Sequence, residues 1–185
     1  DANGIVDLAA LEAMLNKDAT PALVAIMSAN NETGVIEPVA EAAKIVHGHG
    51  SRLLCDAVPS VGKLPLNVTD LGADYLTLSA HKFGGPTGVG ALVLGPDAPL
   101  VPWMEGGGQE RGRRPGTENV SGIVGFGVAA DEAAKDLPHF LELRVLRDRL
   151  EAGLRETLPS VKFWGEAVPR IANTVSVCMP GVVAE

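Results

Sequence analysis

Apolar positions along this 185-residue chain alternate between helical three-to-four spacing and short continuous runs. That alternation predicts helices interleaved with buried strands. Leu8, Leu11, Met14 and Leu15 share one helical face behind Asp7, whose carboxylate suits an N-cap. Leu23-Val24-Ala25-Ile26-Met27 is apolar throughout and reads as a buried strand. Pro38 suits the first turn of a second helix carrying Val39, Ala42, Ala43 and Val46, with Gly48 and Gly50 ending it. Arg52 to Asp56, Asp74 to Ser79 and Val89 to Leu94 read as three short strands. A long helical region opens at Glu118 or Asn119, runs through Ala130 and Ala134, and is expected to break at Pro138. A separate helix from about His139 to Leu158 carries Leu143, Leu146, Leu150 and Leu154. Val161 to Trp164 and Asn173 to Cys178 read as further strands. The expected fold class is α/β, a mostly parallel sheet with flanking helices over residues 1–136. Residues 137–185 are expected to form a linking helix and the first elements of a smaller α+β domain, with the seam at Asp136-Leu137-Pro138.

The densest chemistry lies between Ser79 and Gly90. Lys82 stands between the apolar run Tyr75-Leu76-Thr77-Leu78 and a glycine-rich turn containing Gly84, Gly85, Gly88 and Gly90. Desolvation at a buried strand end lowers an amine's pKa and makes it a nucleophile toward a carbonyl. Pyridoxal phosphate (PLP) chemistry uses such an amine as a Schiff-base anchor, with an acid on the pyridine nitrogen. Asp56, at the end of Leu53-Leu54-Cys55, is the candidate acid, since a carboxylate there is costly if buried and unpaired. The plainer readings are an exposed loop lysine and a turn-capping aspartate. Ser79 and His81 offer a hydroxyl and an imidazole that can donate to a phosphate, or serve as ordinary turn residues. Asn30 and Asn31 present amides after a strand end, where ligands bind in α/β sheets, or serve the turn itself.

Ser79-Ala80-His81-Lys82 followed by the glycine turn resembles the PLP-lysine segment of the cysteine desulfurases, members of the class V aminotransferase family. Three further segments resemble the family in order: Ser28 to Gly34, Cys55-Asp56-Ala57-Val58, and the glycine–arginine run from Gly106 to Asn119. They are closer to the nitrogen-fixation and housekeeping branch (NifS and IscS) than to the selenocysteine-lyase branch. The resemblance implies the central part of the large domain of a fold-type I PLP enzyme. It implies that Lys82 carries the cofactor and moves protons, and that Asp56 pairs with the ring nitrogen. Ser79 and His81 then hold the phosphate, Asn31 contacts cofactor and substrate, and Thr117 reaches a partner subunit's phosphate in a homodimer. The implied activity converts L-cysteine to L-alanine and passes sulfur to an acceptor or scaffold protein for iron–sulfur cluster or cofactor assembly. Two departures stand against it. Pro59 occupies the place of a glutamine that bonds the cofactor's ring oxygen, and the persulfide cysteine and the substrate-binding arginine are expected beyond Glu185. A class V aminotransferase or related PLP lyase, and a non-catalytic module, remain as alternatives.

Composition narrows the partners. A net charge of −8 opposes a nucleic-acid role, with Arg111, Arg113 and Arg114 a local exception. Only two cysteines are present, Cys55 and Cys178, both in apolar strand patterns. This excludes a disulfide framework and fits a reducing compartment, expected to be the cytoplasm. No apolar run approaches the roughly 18 residues of a membrane span. His47 and His49, at a helix end without carboxylate or thiol company, are not expected to bind metal. Asp1-Ala2-Asn3-Gly4 shows neither an initiator methionine nor a signal sequence, and both ends are expected to be cuts within a longer chain.

Overall fold

The computed structural model describes residues 1–18 and 20–182. Its main sheet has the order β1-β2-β3-β4, formed by Leu23–Met27, Arg52–Asp56, Tyr75–Ser79 and Gly90–Leu94. β1 pairs parallel with β2 and β2 with β3, while β4 runs antiparallel to β3. Helix α1, Leu8–Leu15, starts where Asp7 accepts a hydrogen bond from the Ala10 N–H at 3.0 Å. Helix α2, Val39–Gly48, links β1 to β2 and buries Val39, Ala42, Ala43 and Val46. Its two buried alanines let it lie close to the sheet, where Ile26, Leu53, Cys55 and Leu76 complete the core. Leu53 and Cys55 are fully buried while Leu54 between them is half-buried, the period of a pleated strand with one better-covered face. Short α3, Val68–Leu71, and α4, Gln109–Gly112, lie on the connections. Beyond them come the 38-residue α5, Val120–Thr157, and an antiparallel pair, β5 Lys162–Phe163 and β6 Val177–Cys178.

Two expectations change. α5 is continuous through Pro138, which was expected to break it. The proline removes one N–H and crowds one carbonyl, a local loss. Anchors on either side offset it. Phe126 packs on Phe83 with ring centroids 5.5 Å apart, and Arg147 and Glu151 grip the segment around Arg170. The strand expected over Asn173 to Cys178 shrinks to Val177–Cys178, because the chain before it pairs elsewhere, with the Ile171 N–H on the Gly34 carbonyl. α3 and α4 are too short to leave a periodic signal.

The amino ends of β2 and β3 are tied by Asp74, whose side chain is 12% exposed. It accepts from the Leu53 N–H at 2.8 Å and from Arg52 at 2.7 Å, and pairs with His47 at 2.9 Å. Burial pushes its carboxyl upward, but the Leu53 amide, His47 and Arg52 together outweigh it and hold it below the ordinary aspartate value. His49 is occupied as well, with Nδ1 on the Ile45 carbonyl and Nε2 on Asn16. Asp74→Asn is expected to lower unfolding stability by about 1–3 kcal/mol at pH 7, measured by urea denaturation. Because the folded value is depressed, this contribution is present above the unfolded pKa near ~3.9 and is lost as pH falls through the lower folded value. The variant and the parent should therefore converge in acid.

Candidate active site

The site is built at the carboxyl ends of the parallel strands, where α/β sheets bind ligands. Asp56 is the last residue of β2 and lies in register with Thr77 of β3. Paired residues of parallel strands point to the same face, so Thr77 Oγ1 donates to Asp56 Oδ1 at 3.1 Å. The Val58 N–H donates to the same oxygen at 2.9 Å. Asp56 Oδ2 has no hydrogen-bond partner among the described residues. The Asp56 backbone is pinned by Ser28, whose N–H and hydroxyl both donate to the Asp56 carbonyl, at 2.8 and 3.0 Å. Ser28 also shares a short hydrogen bond with the fully buried Ser60. Neither Thr77 nor the Ser28–Ser60 pair was singled out from the sequence. The usable signal for Thr77 was a hydroxyl within an apolar strand beside an aspartate-ended one.

Lys82 lies in a 3-10 turn over Ala80–Phe83 that directly follows β3. Residues three apart share a face of such a turn, and here Ala80 is fully buried and Phe83 half-buried. His81 and Lys82 consequently face outward and are exposed, so the desolvation expected at a buried strand end is not supplied by these residues. Two glycines let the backbone close tightly. A Cβ at Gly85 would sit 2.7 Å from the Ala80 Cβ, and one at Gly90 would sit 2.6 Å from the Leu78 carbonyl oxygen. Ser79 Oγ and His81 Nδ1 are hydrogen-bonded at 2.8 Å, joining the two candidate phosphate donors.

The two asparagines divide their roles. Asn30 Oδ1 accepts from the Glu32 and Thr33 amides at 2.9 and 3.0 Å, which consumes it in the turn. Asn31 is exposed and its side chain has no hydrogen bond among the described residues. Thr117 lies apart, on a loop folded by Arg114, whose guanidinium binds Glu110 at 2.6 Å and the carbonyls of Pro115 and Gly116. Thr117 lines a cavity of about 830 Å³ with Arg111, Arg113 and Trp103, and neither Asp56 nor Lys82 lines it. Arg114 is thus a loop brace, while Arg111 and Arg113 stay exposed. Cys55 is fully buried. Burial first, and then the adjacent Asp56 charge, push its thiol up to about 11 against an opposing Ser28 hydrogen bond. A thiol so held is a packing group. Cys178, expected to be buried, is half-buried.

The aminotransferase class V family matches residues 1–185. A cysteine desulfurase from Klebsiella pneumoniae is 44% identical over 185 residues, covering 100% of this chain and 46% of that protein. The structure of a NifS-like protein from Rickettsia africae superposes with a TM-score of 0.93 at 36% identity, over 98% of this chain and 51% of that one. A structure of SspA in complex with cysteine superposes with a TM-score of 0.64 at 36% identity, over 71% of this chain and 38% of that one. The chain spans about half the length of the curated relatives it matches. With this fold and these matches along its whole length, the chain belongs to the class V aminotransferase family, and the relatives it resembles there are cysteine desulfurases.

Proposed function

We propose that these residues are part of a PLP-dependent cysteine desulfurase. The whole protein would convert L-cysteine to L-alanine and transfer sulfur to an acceptor or scaffold protein for iron–sulfur cluster or cofactor assembly. It would act as a cytoplasmic homodimer. Residues 1–136 would belong to the large, cofactor-binding domain, and residues 137–185 would lead into the smaller one, with α5 shared between them. The relatives' names and the cysteine bound to SspA support the reaction and substrate. One observation carries the reading: a carboxylate oxygen without a hydrogen-bond partner among the described residues, Asp56 Oδ2, ends β2, and an exposed amine, Lys82, follows the neighbouring β3.

The donor set fits PLP. A half-satisfied carboxylate suits a protonated ring nitrogen, and a free amine suits an aldehyde. A hydroxyl–imidazole pair beside a glycine-tight turn suits a phosphate. When bound, PLP supplies an electron sink that weakens bonds at the α-carbon of an amino acid. Asp56 would hold the proton on the ring nitrogen, its other oxygen kept still by Thr77 and Val58. Lys82 Nζ would anchor the group and move a proton to and from the substrate. Ser79 and His81 would bind the phosphate, joined by Thr117 from a second copy, and Asn31 would contact cofactor and substrate. Pro59, buried in the turn after Asp56, offers neither a side-chain donor nor an N–H.

Full-length protein should release alanine from L-cysteine and, with a dithiol added as reductant, an equal amount of sulfide. Lys82→Ala should abolish both, together with any borohydride-trapped visible absorbance. Retained absorbance after the Lys82 substitution would remove Lys82 from its role. Thr77→Val should weaken PLP binding by roughly 10-fold or more, the loss of one hydrogen bond to a charged group, read by absorbance titration. Asp56→Ala should weaken it more. The 185-residue chain alone should show no desulfurase activity, and sulfide release by it that is lost in Lys82→Ala would overturn that expectation.

A further inference from the structure

The loop that presents Asn31 is held from far along the chain. It leaves β1 at Ser28 and returns through Val35 and Ile36, with the Asn30 N–H on the Val35 carbonyl at 2.8 Å and the Gly34 N–H on the Asn30 carbonyl at 2.9 Å. The returning arm is a rung of a second ladder. Val35 bridges Arg170, the Ile36 N–H donates to the Pro169 carbonyl at 3.0 Å, and the Ile171 N–H donates to the Gly34 carbonyl at 2.8 Å. The two segments meet closely because position 34 has no side chain. A Cβ at Gly34, where φ is +77°, would sit 2.8 Å from the Thr174 Cβ. Val35 and Ile171 are almost fully buried at the junction.

Residues 169–171 are in turn located by α5. Arg170 Nη1 lies 2.8 Å from Glu151 Oε1, and both side chains are nearly buried, 5% and 7% exposed. The two atoms meet as charges without a well-aligned hydrogen bond. One helical turn before Glu151, Arg147 Nη1 donates to the carbonyls of Arg170 and Ile171 at 3.4 and 3.2 Å. A buried ion pair is a poor source of net stability, because desolvation offsets attraction, and its best-attested use is to set register. Removing one partner strands a charge, so the pair admits one relative placement of helix and loop.

We propose that the buried Glu151–Arg170 pair is a positioning device, which locates residues 169–171 and, through their ladder to Gly34–Ile36, sets the place of Asn31. The proposal rests on the reading above that Asn31 contacts bound cofactor and substrate. Glu151 and Arg170 touch neither. They act through the loop.

The test is made on full-length protein with Arg170→Met, and with Glu151→Gln should the first fail to fold. Hydrogen exchange read by mass spectrometry should become at least tenfold faster in peptides spanning residues 28–37 and stay unchanged in those spanning β2. Unchanged exchange at 28–37 overturns the proposal whether or not the cofactor binds. PLP titration then separates positioning from general destabilisation. Arg170→Met should weaken binding about tenfold in the parent and little in an Asn31→Ala background. Equal weakening in both backgrounds overturns the proposal. Failure of the parent itself to take up PLP overturns the functional reading, and leaves the exchange comparison to decide the positional one.

Discussion

A carboxylate at the end of a buried strand must have its lone pairs met by something, and at Asp56 the described residues meet only half of that demand. Oδ1 takes Val58 and Thr77, while Oδ2 is left open at the strand end. Much of the surrounding architecture serves this one group. The parallel register of β2 and β3 brings Thr77 beside it. Ser28, arriving from β1, ties down its backbone and leans on Ser60. Cys55 beneath it is sealed into the core with α2 packed above, so the carboxylate cannot sink.

The outward placement of Lys82 follows from the same economy of space. Ala80 and Phe83 take the two inward positions of the 3-10 turn, and Phe83 is gripped by Phe126 of α5. The turn cannot roll without unpacking that contact, so His81 and Lys82 are directed away from the core. α5 thus secures the lysine turn with its first half and the Asn31 loop with its second. A helix running unbroken through Pro138 gives the two anchors a common, stiff reference.

Much of this was legible in the residues. The strands β1 to β4 were read to within one residue at each end, because short, mainly apolar stretches bounded by glycine, proline and polar residues admit few other readings. Asp7 as a cap and the buried face of α2 were equally direct, being local features. The reading failed where distant contacts outweighed local preference. Pro138 argues for a break by its own chemistry, and anchors on both sides overrule it. Asn173 to Val175 have strand composition, but the chain just before them is already paired with the Asn31 loop.

The sequence by itself determined the alternation of helix and strand, and the identity of the amine, carboxylate, hydroxyl and imidazole at the strand ends. These depend on side-chain chemistry and on spacing within a few residues. Only the tertiary structure decided which oxygen of Asp56 is left open, that Asn30 is consumed by its turn while Asn31 is not, and that Lys82 faces outward. It also decided that a helix more than a hundred residues away holds the Asn31 loop. Such outcomes turn on strand register and on which groups claim each hydrogen bond, and register exists only once distant segments have packed.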